Sequence, residues 1–128
     1  VARALAAFDA ANLAAGLGDD VITLVMTDFG RTLRPSSGGG SEHAWGNHWM
    51  LLGGPVAGGT VHGTFATLTL GGPGDADPDK GGRFVPSTAS DQVASTLMQW
   101  LGLPASALLD VFPSLANFPQ KSVPLLRS

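Results

Sequence analysis

The sequence predicts an α/β protein, and three observations carry that prediction. An apolar helix, a glycine turn and an all-apolar run follow one another over residues 1–26, which is half of a repeating α/β unit. A capped amphipathic helix occupies 88–101. The composition is that of a folded chain: 128 residues, 44% hydrophobic, net charge -3 and no cysteine. That length suits one domain able to bury roughly two thirds of its unfolded surface. Without cysteine there are no disulfides and no thiolate metal sites. The acidic balance argues against nucleic acid, since phosphate binding needs a basic surplus. No apolar run reaches the roughly 20 residues that span a bilayer, and no signal peptide is visible.

The first element is VARALAAFDAANLAAGLG, in which Leu5, Phe8 and Leu13 fall on a broad arc of a helical wheel. The chain opens without methionine on a helix already under way, as an internal segment of a larger protein would. Gly16 and Gly18 stop the helix and Asp19–Asp20 make a polar turn. VITLVM, 21–26, is apolar at every position, which predicts a strand of a parallel sheet covered on both faces. Ligands in such sheets bind beyond the carboxyl ends of strands, and TDFGRT begins where this one ends.

The segment TDFGRTLRPSSGGGSEHAWGNH, 27–48, reads as a loop around a glycine-rich excursion. It gathers acids, two arginines and two of the three histidines in a chain with only 13% charged residues. NHWMLLGG, 47–54, predicts a second short strand, and PVAGGTVHGTF a turn or hairpin centred on 57–60. GGPGDADPDKGG, 71–82, predicts a flexible, solvated surface loop. Its Asp75, Asp77 and Asp79 alternate as at the start of a calcium-binding EF-hand loop. Lys80 stands where that loop needs glycine, however, and Pro86 where it needs its bidentate glutamate. Thr88 and Asp91 resemble a capping box for a helix carrying Val93, Leu97, Trp100 and Leu101 on its apolar face and closed by Gly102. Trp100 reads as core. Pro104 opens a short helix through Leu108 and Leu109, and VFPSLANFPQKSVPLLRS is a proline-punctuated tail that needs a surface to pack on.

The chemistry concentrates in 27–48. Asp28, with His43 and His48 brought back by the glycine-rich excursion, is an oxygen-plus-imidazole set suited to zinc or another divalent metal that polarises a phosphoryl or sulfuryl oxygen. Glu42 either orients the His43 ring or faces water, and His48, entering a strand, reads as support or structure. Arg31 and Arg34 offer fork-like donors to an anion. A purely structural reading competes: Asp28 capping a turn, His43 a satisfied histidine, the arginines surface charges. His62, between Val61 and Gly63, reads as structural.

TDFGRT, the glycine-rich spacer, SEHAWGNH, LLGGPVAGG, GGRFVPSTASDQVASTLMQWLGL and VFPSLANF, in that order, resemble the carboxyl-terminal part of the bacterial proteins grouped as domain of unknown function 1501. The resemblance covers almost the whole chain. It implies a partial alkaline-phosphatase-like sheet flanked by helices, in a superfamily that includes the sulfatases, and an exported or periplasmic location. By the resemblance, Asp28 corresponds to an acid of the superfamily's two-metal site. Phe29 stands where those enzymes usually carry histidine, Glu42–His43 where they carry aspartate and histidine, and Ala44 where glycine is common. The superfamily's nucleophile and first metal-binding acid belong to an amino-terminal half that these residues do not include. Two functions follow as expectations. One is the terminal part of a metal-dependent phosphate or sulfate ester hydrolase. The other is a non-catalytic exported structural or assembly component on the same scaffold. Either way, exposed edges and apolar faces predict packing against the missing amino-terminal half, a second copy or another protein chain.

Overall fold

The computed structural model describes residues 1–127. The helices and strands are α1 (Ala2–Ala14), β1 (Thr23–Val25), β2 (Gly30–Pro35), β3 (Ser41–Ala44), β4 (Met50–Leu52), α2 (Ser90–Trp100) and α3 (Leu108–Val111). Short 3-10 turns flank α3 at Ala105–Ala107 and Pro113–Asn117. The class is mixed α/β with short antiparallel sheets. Two compact units divide the chain: 1–26 with 49–60 and 124–128, and 27–48 with 61–123.

In the first unit β1 pairs antiparallel with β4, Leu24 opposite Leu51. This corrects the expectation of a parallel strand covered on both faces. All three β1 residues are half-buried and Met26 is exposed, so the apolar run supplies a short ribbon. The expected hairpin at 57–60 is absent as well. Val56 instead bridges Leu126, and Ala57 N–H donates to the Leu125 carbonyl, so the tail takes the place of a returning strand. Val56 and Leu125 are the buried apolar residues of this unit. Helix α1 buries none of its residues, and Phe8 and Leu13 remain exposed.

In the second unit β2 and β3 form the hairpin that the sequence reading placed elsewhere; 27–48 is folded back on itself rather than looped out. Ser36 N–H donates to the Gly40 carbonyl and Gly39 N–H to the Ser36 carbonyl. Gly39 has φ 78°, a left-handed turn conformation open to glycine at no steric cost. Helix α2 starts one residue later than the sequence indicates. Its cap is Ala89, whose N–H donates to Gln92 Oε1; alanine has no side-chain acceptor, so only one half of a capping box forms. Gly102, at φ 100°, ends α2, and Leu103 N–H reaches back to the Met98 carbonyl in a Schellman closure.

The buried face of α2 is polar. Gln92 and Ser95 are its buried residues, while Trp100 is half-buried and Leu101 exposed. These polar groups hold the tail: Gln92 Nε2 donates to the Gln120 carbonyl, Ser95 Oγ to the Lys121 carbonyl, and Val123 N–H to Thr96 Oγ1. Lys121 Nζ donates to the carbonyls of Leu115 and Phe118 at 2.7 and 2.6 Å, where a cation satisfies the orphan acceptors of a helical turn. Leu108 and Leu115 fill the space beneath.

Candidate functional site

The FGRT tetrapeptide is the base of the β2–β3 hairpin, and each of its residues has a physical task. The Phe29 ring lies against the His43 imidazole, centroids 4.2 Å apart and tilted by 32°. Gly30 passes so close to the chain leaving β3 that a Cβ there would run into the Gly46 carbonyl oxygen, so only glycine fits. Arg31 pairs across the ladder with His43, sets its guanidinium carbon 5.2 Å from the centre of the Phe29 ring, and donates from Nη1 to the Ser41 carbonyl at 2.8 Å. Beyond it the register slips, and buried Thr32 fills the irregularity. Its hydroxyl accepts the Glu42 N–H at 3.0 Å and donates to the Arg34 carbonyl at 2.9 Å.

Strand alternation then sorts the candidate residues. Arg31 and His43 share one face of the hairpin, and successive side chains point to opposite faces, so Glu42 projects away from His43. Glu42 lies in a shallow recess of about 120 Å3 with Thr32, Arg34, Asp77, Asp79 and Arg83. It therefore does not orient the His43 ring. His48 is also engaged elsewhere, stacked on Phe65 with centroids 4.6 Å apart. The two arginines diverge: Arg34 donates from Nη1 to the Asp79 carbonyl at 2.7 Å, on the recess side. Asp28 occupies an exposed bend one residue before Phe29, so the hairpin brings the Asp28 end of the chain to His43.

The strongest electrostatics lie in a place that sequence reasoning gave to solvent. Asp75 and Asp77 are buried, and both carboxylates accept several hydrogen bonds. Asp75 accepts backbone N–H groups from Gly71, Asp77, Gly82 and Arg83 at 2.9 to 3.2 Å. These bonds, that from Gly71 foremost, hold its carboxyl below the ordinary 3.8, although burial pulls the other way. Asp77 accepts from Asp79 N–H and Gly81 N–H and forms a 2.6 Å ion pair with Arg83 Nη1. Arg83 Nε in turn donates to the His43 carbonyl at 3.0 Å. The alternating aspartates were the visible signal. Their oxygens serve backbone donors, as short acidic side chains do in Asx-type turns.

Among the described residues no three of His, Asp and Glu come together, whereas zinc sites use three or four protein ligands. Asp28 and His43 do not fit a closed site by themselves. Neither side chain hydrogen-bonds to another described residue, in contrast to Asp75 and Asp77. Among the described residues no helix is long and apolar enough to cross a membrane.

Comparison with known proteins identifies the family. The chain belongs to the family described as protein of unknown function (DUF1501), whose profile matches residues 1–72. That stretch takes in the β2–β3 hairpin and ends at the edge of the aspartate loop. No curated protein and no solved structure matches the chain.

Proposed function

We propose that this chain contributes one wall of a metal-assisted phosphate or sulfate ester hydrolase of the alkaline phosphatase and sulfatase kind. Asp28 and His43 would be its metal-directed side chains. The observation that supports this reading is the Arg31–His43 pairing at the hairpin base, which sets an imidazole and a guanidinium on one face, with Asp28 in the exposed bend that leads into β2. Arg31 stands on the same face with Nη1 committed to Ser41 and its remaining N–H groups open to an anion. When bound, the metal, zinc or another divalent ion, would supply charge stabilisation at the ester oxygens. The nucleophile and the further ligands would come from outside these residues.

Such a partner surface is in keeping with the exposed apolar side chains of the second unit. Trp45 and Phe65 are each 57% exposed and Val61 69%. We assign that surface to the amino-terminal part of the same protein, with a second copy or another chain as the competing occupants. The exported or periplasmic location belongs to the same proposal.

The test is metal content by plasma mass spectrometry on the chain and on a longer protein containing it, each beside His43→Ala. Stoichiometric zinc, manganese or iron that vanishes with His43→Ala supports the reading; no metal in any of them ends it. A second reading, a non-catalytic exported scaffold, is favoured by one observation: Arg31 and Arg34 both donate to backbone carbonyls of their own unit. It predicts no metal and an intact hairpin.

A further inference from the structure

Arg83 is fixed at both ends. Its backbone N–H is held by Asp75 Oδ1 at 3.0 Å and its carbonyl accepts Ala76 N–H, so the residue cannot slide along the loop. Its guanidinium bridges two further groups, the carboxylate of Asp77 at 2.6 Å and the carbonyl of His43 at 3.0 Å. Asp77 is 3% exposed and is itself held by the N–H groups of Asp79 and Gly81. One residue on, Phe84 accepts Gly46 N–H through its carbonyl, so the same segment grips β3 on either side of Ala44. A two-stranded hairpin has little rigidity of its own. The aspartate loop supplies what the hairpin lacks, at the residue that carries the imidazole.

We infer that Arg83, clamped by Asp77, is a positioning residue for His43: it fixes the main chain of β3 at His43 and thereby the place of the imidazole beside Phe29. The purpose of that positioning rests on the reading of His43 as a metal-directed side chain; the positioning itself does not. Lysine cannot replace arginine here. A point-charge ammonium can stay beside Asp77, but it lacks the fork that holds the carboxylate and the carbonyl together.

The experiment is proton NMR of the full 128-residue chain, with the His43 ring resonances assigned by His43→Gln. A ring whose centroid lies 4.2 Å from that of Phe29, tilted by 32° against it, has its protons displaced by the neighbouring ring current. Arg83→Lys, in a spectrum that stays dispersed, is expected to move those resonances toward their unstacked positions, and Asp77→Asn to do the same. Asp79→Asn, on the exposed part of the loop, is expected to leave them in place. Unmoved His43 resonances in Arg83→Lys and Asp77→Asn overturn the inference. Should Arg83→Lys lose its dispersed spectrum, Asp77→Asn alone decides. A titration with Zn2+ alone separates the two claims. If wild-type His43 responds, the midpoint is expected to rise roughly tenfold in Arg83→Lys, as for loss of a group that orients a ligand. If wild-type His43 ignores Zn2+ while its resonances still move in Arg83→Lys, the positioning stands and the metal reading fails.

Discussion

Asp77→Asn is the most informative single perturbation of the stability of this chain. The carboxylate accepts three bonds: Asp79 N–H and Arg83 Nη1 on Oδ1, Gly81 N–H on Oδ2. An asparagine keeps one carbonyl oxygen for the first two, without the charge, and turns an NH2 toward the Gly81 N–H. Weakening the charge-assisted bond to Arg83 costs about 2 kcal/mol, and stranding a buried backbone donor about 1 kcal/mol. The expected total is therefore about 3 kcal/mol. That is at the low end for removing one partner of a buried ion pair, because the Arg83 side chain is 27% exposed and recovers part of its solvation. For a chain of this length about 3 kcal/mol lowers the melting temperature by about 12 °C. Urea unfolding followed by circular dichroism, with Asp79→Asn as the exposed control, measures it. A loss below about 0.5 kcal/mol, the level of an ordinary surface substitution, would refute the claim that the buried pair holds the loop.

Three further outcomes are expected. Asp75 has a carboxyl held below its unfolded value, so its contribution is complete above that value and is lost as pH falls through the folded one. The unfolding midpoint should therefore be level from neutral pH down to about 5 and fall below about 4; Asp75→Asn should flatten that acid limb, and an unchanged limb would rule Asp75 out as its source. Gly30→Ala places a methyl against the Gly46 carbonyl oxygen, and the clash is with backbone. It should cost about 3 kcal/mol and open the hairpin, so a variant of wild-type stability would contradict the close approach. Lys80 is the one non-glycine residue at positive φ among the described residues, at 55°, and makes no side-chain hydrogen bond there. Lys80→Gly should relieve its left-handed strain and stabilise the chain by up to about 1 kcal/mol, against which the extra freedom of unfolded glycine counts; a destabilised variant would show that Lys80 contributes contacts.

Local signals were legible where local physics decides the outcome. Helix α2 was readable because Gly102 and the spaced apolar residues act within a few positions of each other. Even so its buried face proved to be Gln92 and Ser95, because what packs there is the carbonyl-rich tail around Gln120 and Lys121, nearly 30 residues away. The apolar run 21–26 matched a doubly covered parallel strand by composition alone. Its partner at 50–52 is a matter of register across a long connection, which no window contains. The hairpin was misplaced because Ala57–Thr60 and Ser36–Gly40 are both good turns. The choice fell to Thr32 and Arg31, whose bonds to β3 exist only once the strands meet.

The candidate site shows the same limit in a sharper form. Arginine, aspartate and histidine types in 27–48 suggested that all of them converge, but a strand spends alternate residues on opposite faces, and a carboxylate near backbone donors is consumed by them. Applying those two rules to the hairpin removes Glu42 from His43, separates Arg34 from Arg31, and leaves Arg31 and His43 paired on one face, with Asp28 in the exposed bend that leads into β2. The aspartates that did look like ligands, Asp75 and Asp77, are consumed in holding Arg83. A residue type names the chemistry a side chain can perform; the unspent valence left after folding names the chemistry it is free to perform. On the proposed reading the hairpin base, with the His43 carbonyl held by Arg83, is where an incoming surface would meet the Arg31 guanidinium and the His43 imidazole on one face.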